Sequence, residues 1–185
     1  MSWVLDADIK GIFDHVSHEW ALKFLAHRVA DNRILRLVQK WLKAGVSEDG
    51  KWSETTVGAP QGAVVSPLLA NVYLHYVFDL WAEAWRKKIA CGDVILVRSA
   101  DDLVAGFHHR ADAERFLRDF QERLAKFGLE VHPEKTRMIE FGRFAASGRQ
   151  KRGQGEPETF TFLGFTVGGT RRGTLWSGGV RRQSG

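Results

Sequence analysis

The residues best equipped for chemistry are acidic, and they sit in two places. Val97 to Phe107 reads VRSADDLVAGF, with Asp101 and Asp102 adjacent between two apolar runs. Near the start, WVLDADIK puts Asp8 at the end of a short alternating segment. Adjacent like charges in a tight turn repel. Taken alone, Asp-Asp at a hairpin tip is ordinary turn chemistry, and one Asp on a strand's polar face is commonly just solvated. If the first segment lies beside the hairpin, Asp8 meets Asp101 in space. Three carboxylates at one spot have raised pKa values unless a cation is present. Hard divalent ions take oxygen ligands, and Mg2+ commonly uses one or two carboxylates plus substrate phosphates. Two such ions about 3.5–4 Å apart clamp the attacking and leaving oxygens of a phosphoryl transfer.

Elements must hold these groups in place. In WVLDADI, Leu5, Ala7 and Ile9 face one way while Val4, Asp6 and Asp8 face the other, which predicts a strand. Ser17 to Ala44 has helical stripes, with a break at Asp31-Asn32. VSEDGKWSETTVGAPQG is turn-rich, with room for a short hairpin. SPLLANVYLHYVFDLWAEAW predicts a helix, Ser66 as N-cap and Pro67 at the first helical position. DVILV and LVAGF predict a hairpin around RSADD. Asp112 to Phe127 predicts a helix with Phe116, Leu117, Phe120, Leu124 and Phe127 on one face, stopped by Gly128. RMIEF and TFTFLGFTV read as two further strands, and GRFAASGRQKRGQGEPE between them as a mobile basic loop. This order predicts an α+β fold: an antiparallel sheet with helices packed on one face, of which the ferredoxin-like split-βαβ arrangement is the simplest form. The expected divisions are a core over residues 1–142, the basic loop over 143–158, and a terminal hairpin with a basic tail over 159–185.

Composition narrows the class. The 185 residues, 44% hydrophobic, suit one domain with a real core. No apolar run approaches the roughly 18 residues of a membrane span, and the start lacks the basic region of a secretory signal. The lone Cys91 excludes an internal disulfide and fits a reducing cytosol; the expected location is the bacterial cytoplasm, with association with the nucleoid as the narrower alternative. The net charge of +5 is uneven. Arg143 to Gly185 holds eight Lys/Arg and two acids, whereas the preceding 142 residues hold 19 and 20. Such a segment either solvates as a tail or meets a polyanion such as nucleic acid. His108 and His109, adjacent on a predicted strand, point to opposite faces and are read as surface residues rather than metal ligands.

The motifs in order carry a resemblance. DIKGIFD (Asp8–Asp14), GAPQGAVVSPLLANVYLHY (Gly58–Tyr76), SADD (Ser99–Asp102), GLEVHPEKT (Gly128–Thr136) and FLGF (Phe162–Phe165) resemble reverse transcriptases. More narrowly, they resemble the group II intron-encoded type with its maturase function, over Val4 to Val167; retron enzymes are less similar. The resemblance implies a right-hand polymerase palm: an RNA-directed DNA polymerase of a mobile element, using two Mg2+ ions. Its implied partners are an RNA template, a DNA primer, deoxynucleoside triphosphates and intron RNA, with no membrane.

By position, Asp8 and Asp101 match the family's metal-binding aspartates, and Asp102 the third acid with a lesser direct role. Ile9 and Phe13 fall on the substrate side. Phe13 matches a bulky residue that crowds the sugar 2′ position, though an aromatic there is otherwise core. Pro60, Gln61 and Gly62 match the segment against incoming nucleotide and template, where a bare glycine backbone permits close approach. Lys135 matches a lysine near the departing pyrophosphate, a candidate proton donor; a surface lysine after a proline turn is the plain alternative. Lys10 either screens phosphates or pairs with Asp8.

Two residues depart from the pattern. Ser99 stands where the family has a tyrosine that packs near the primer end, and Ala63 where many relatives have glycine. Fingers upstream and a thumb or maturase region downstream are expected to be missing, and GGTRRGTLWSGGVRRQSG stops resembling the family. A truncated fragment, weak by itself, is therefore expected. The alternatives are an RNA-binding maturase fragment that aids splicing without polymerising, and an inactive pseudogene remnant.

Overall fold

Alternation of apolar and polar side chains makes Trp3–Asp8 a strand, β1. The computed structural model describes residues 1–43, 46–48, 51–53, 58, 65–142, 145–153, 158–168 and 181–182. After β1 come α1 (Ile12–His15), α2 (His18–Ala26), α3 (Asn32–Lys43), β2 (Val46–Glu48), β3 (Lys51–Ser53) and α4 (Ser66–Leu74). A π-helical segment, His75–Asp79, leads into α5 (Leu80–Lys88), then β4 (Val94–Ser99), β5 (Asp102–Phe107) and α6 (Arg110–Ala125). The remainder is β6 (Arg137–Glu140), α7 (Ala145–Lys151), β7 (Thr159–Phe162), β8 (Phe165–Gly168) and β9 (Arg181–Arg182). Among the described residues no helix is long and apolar enough to cross a membrane.

The chain forms two compact units. The first comprises Met1–Asp8, Trp85–Phe120 and Val131–Gly185. Its sheet has the order β4-β5-β1-β6, every neighbour antiparallel. Read with the helices between them, these strands give the split-βαβ arrangement predicted. On one face Leu5, Ala7, Leu103, Ala105 and Phe107 are buried. There α6 sets Phe116 against Phe107, ring centroids 5.4 Å apart, and Trp85 meets both rings edge-on. Buried Asp112 accepts the backbone N–H groups of Cys91 and Gly92, which fixes the chain entering β4.

The other face of this sheet is also partly covered. Val4, Ile139 and Phe160 are buried together, so a β-layer joins the helices expected on one side only. TFTFLGFTV alone reads as one strand, but the hairpin expected from residue 159 onward lies within it: β7 and β8 pair across Leu163-Gly164, with φ of 52° and 77°. Positive φ at both central positions suits a two-residue hairpin loop. A second difference lies at 143–158, expected to be a mobile loop. Ala145–Lys151 is helical there, and ion pairs Arg149–Glu158 and Arg152–Glu140 tie it down.

The second unit comprises Ile9–Ala84 and Gln121–Glu130. The predicted break between α2 and α3 is present, and the Asp31 side chain accepts the Arg33 backbone N–H at 2.8 Å. Phe24 stacks on Tyr76 at 4.8 Å, and Trp20 meets Phe127 edge-on at 5.1 Å. The Tyr73 hydroxyl donates to the Phe127 carbonyl at 3.1 Å. Helix α4 starts one residue earlier than predicted: Val65 is the N-cap, and Ser66 is buried in the first turn. The π-helical segment was not predicted. Arg123 donates to the carbonyls of Tyr76 and Val77, supporting a wider turn that side-chain periodicity does not encode. Gly128, at φ 72°, lies just past α6 as predicted, and β2 pairs with β3 in a short hairpin.

Candidate active site

Strand register assembles the acids. Asp8 on β1 lies directly opposite Asp102 on β5, and Asp102 directly opposite Ser99 on β4. Opposed residues in an antiparallel pair share a face, here the face that carries Val4 and Asp6. The expected meeting of Asp8 with Asp101 thus takes the form of an Asp8–Asp102 opposition. Asp101 is adjacent, in the two-residue loop Ala100–Asp101. Ala100 has φ 53°, a left-handed conformation that costs a residue with a Cβ roughly 1–2 kcal/mol. Arg98 holds the loop by donating to the Ala100 carbonyl at 2.9 Å.

On the other side of β1 a slip in pairing delivers a cation. Asp6 is paired with Arg137. Further along, the His132 N–H donates to the Asp8 carbonyl at 2.7 Å, and the Lys10 N–H to the Glu130 carbonyl at 2.9 Å. The partner sequence has advanced by three residues, so Pro133, Glu134 and Lys135 are extruded as a turn. Thr136 closes that turn, its N–H and hydroxyl both donating to the His132 carbonyl. Lys135 Nζ reaches Asp8 Oδ2 at 2.8 Å, and Arg137 reaches Asp6 Oδ2 at 3.0 Å. Lys10 does not pair with Asp8; it pairs with Glu130 at 2.6 Å.

The electrostatics follow from this placement. Surrounding protein strips part of Asp102's hydration even though the residue is exposed by surface area, and this raises its pKa. The charges of Asp101, Asp8 and Asp6 push it the same way, against Lys135. The hydrogen bond from Lys135 to Asp8, then the Asp8 charge, holds the ammonium pKa above the ordinary lysine range.

Among the described residues, no three His, Cys, Asp or Glu side chains are gathered tightly enough to hold a metal ion by themselves. The donors still suit a hard divalent cation. They are carboxylate oxygens in a field of excess negative charge, and Mg2+ needs only one or two of them when substrate phosphates complete its shell. A cation, the Lys135 ammonium, already sits on Asp8.

The other predicted residues fare differently. Ile9 is 1% exposed, so its side chain belongs to the core rather than to a substrate surface, as its place on the apolar side of the first segment requires. Phe13 is half-buried on α1. Pro60, Gln61, Gly62 and Ala63 lie outside the described residues. Gly58, which opens that motif, is pinned: its N–H donates to the Val16 carbonyl and its carbonyl meets the His18 ring. With φ 92° and a would-be Cβ only 2.7 Å from the Phe13 carbonyl oxygen, the position admits glycine alone. His108 and His109 lie beyond the end of β5, so strand alternation does not govern them. Their rings are 4.6 Å apart and both residues are exposed. Sequence reasoning missed the Asp6–Arg137 pair and the backbone role of His132. The alternation that put Asp6 on Asp8's face was the available signal for the first; nothing local announces the second.

Residues 1–167 match the family model described as reverse transcriptase (RNA-dependent DNA polymerase). The putative COX1/OXI3 intron 1 protein of Saccharomyces cerevisiae is 36% identical over 183 residues, covering 73% of this chain and 22% of that protein. The group II intron-encoded protein LtrA of Lactococcus lactis subsp. cremoris is 41% identical over 73 residues, 40% of this chain and 12% of that one. The chain spans between 9% and 22% of the length of the curated relatives it matches. Among solved structures, telomerase from Candida albicans in complex with a fragment of telomeric RNA superposes with a TM-score of 0.70 at 16% identity. That likeness covers 98% of this chain and 30% of the telomerase. Truncated apo telomerase from Candida tropicalis gives 0.68 at 17%, over 98% and 35%. At these identities the likeness shows the fold.

Proposed function

The chain belongs to the reverse transcriptase (RNA-dependent DNA polymerase) family, and from that premise we propose that it is the polymerase palm of a group II intron-type protein, adding deoxynucleotides to a primer 3′ end along an RNA template. Residues 1–142 form the core of that palm. The observation that carries the reading is the row Ser99–Asp102–Asp8 across three strands, with Asp101 in the loop that joins Ser99 to Asp102 and Lys135 on Asp8. Relatives named for introns support the RNA partner, and the resemblance of the motifs supports the primer and the triphosphates.

Asp8 and Asp101 would hold Mg2+, with Asp102 beside them. The chemistry that Mg2+ supplies when bound is activation of an attacking hydroxyl and neutralisation of charge on a departing pyrophosphate. The chain's own groups do the rest. Paired strands fix the backbone at Asp8 and Asp102, and the short Ala100–Asp101 loop keeps Asp101 beside them, so the acids lie near one another before any substrate arrives. A lysine ammonium is protonated at neutral pH whether or not Asp8 is bound to it, so Lys135 has a proton to hand to the departing pyrophosphate. Ser99, opposite Asp102, stands where the resemblance places a tyrosine near the primer end.

Two measurements test this. Mn2+ binding, followed by electron paramagnetic resonance, should weaken in Asp8→Asn and in Asp101→Asn. Primer extension on RNA by the whole protein that carries this chain should fall to background in the double variant. Extension at the parent rate with both acids neutralised would remove the mechanism.

A further inference from the structure

Helix α3 carries a wider apolar arc than its own fold uses. Val38 and Leu42 are buried, and α3 packs beside α2. Ile34, Leu37 and Trp41 are 49%, 44% and 42% exposed. Spacings of three and seven residues put these three side chains on one line along the helix. On the far side of that line run Arg33, Arg36, Lys40 and Lys43. Arg33 lies four residues before Leu37 and Lys40 three after it, so both neighbour Leu37 directly. Asn32–Lys43 contains no acidic residue; the nearest, Asp31, precedes the helix and takes Arg33 at 3.5 Å. The exposed stripe therefore has the core on one side and a row of cations on the other.

We propose that this stripe docks an amphipathic helix of another polypeptide, one whose apolar line is flanked by acidic residues. Large apolar residues such as Trp41 anchor protein interfaces when a partner covers them. The cation row selects a partner of opposite charge and disfavours one of like charge. That rule works against a second copy of the chain, since pairing α3 with α3 sets cation on cation. An RNA strand gains from the cations but finds nothing for Ile34 and Leu37 to bury against. A membrane surface needs a whole apolar face, and half of this arc is already spent on the core. The proposal stands independently of the polymerase reading.

The test uses the full chain and two synthetic helical peptides. One carries Leu at i, i+3 and i+7 flanked by Glu; the other is the same with Lys in place of Glu. Binding is read by fluorescence anisotropy of labelled peptide, beside a short RNA and vesicles rich in phosphatidylserine. The Glu peptide is expected to bind about tenfold or more tightly than its Lys twin. Leu37→Ser and Lys40→Glu are each expected to weaken it by about tenfold. Both positions are exposed, and far-UV circular dichroism checks that the variants fold. Equal binding of the two peptides, indifference to both variants, or binding only to RNA or vesicles would overturn the proposal.

Discussion

Asp102 carries a charge that its neighbours disfavour. It lies opposite Asp8, and like charges in that arrangement destabilise a sheet. Its raised pKa has a definite sign. Relative to the unfolded chain the fold prefers the acid form, so the stabilising contribution is complete below about pH 4 and is lost as pH rises through the folded value. Asp102→Asn should therefore raise the stability of the protein at pH 7. The expected gain is on the order of 0.5 kcal/mol after solvent screening, vanishing below about pH 4. Chemical denaturation at the two pH values checks it, and a variant less stable than its parent at pH 7 contradicts it. Ala100, left-handed at the same loop, is a second sign that stability has been yielded at this tip. At this scale the sequence was informative about type and only partly about place. Motif order found the acids, but which of them opposes Asp8 depends on strand register.

Tyr73 joins α4 to the segment after α6 through its bond to the Phe127 carbonyl. Burial pushes its pKa up to about 12. A tyrosine shifted this way lends stability that is intact below about pH 10 and lost between about pH 10 and 12. Tyr73→Phe should be less stable at pH 7 by about 1 kcal/mol, the worth of one hydrogen bond. Its stability should then fall less than the parent's over that alkaline window, as thermal melts at successive pH values would show. Parallel alkaline curves would rule out Tyr73 as the titrating group. The elements themselves were legible wherever periodicity was strong: β1, the β4–β5 hairpin and α6 all lie where alternation or a Phe116–Phe120–Leu124 stripe put them. What was illegible is what tertiary contacts decide. Leu163 is a poor turn former, so the hairpin expected after residue 159 carried no mark of where it reverses; α7 depends on ion pairs to Glu140 and Glu158; the π-helical segment depends on Arg123.

At the scale of the whole molecule, the proposed metal site makes a claim about folding. An ion that binds only the folded protein stabilises it by mass action, by about 1.4 kcal/mol at tenfold excess over its dissociation constant. For a chain of this size that is roughly 3–6 °C in melting temperature. Adding Mg2+ should produce such a shift, EDTA should remove it, and Asp8→Asn should reduce it. A melting curve indifferent to Mg2+ would count against the assignment of Asp8. The turn that presents Lys135 lies between the β1–β6 ladder and the two backbone bonds that join Asp8 to His132 and Lys10 to Glu130. A substitution within Pro133–Lys135 can therefore reposition the ammonium while the pairing on either side stays in place, which separates change at this lysine from change in the scaffold.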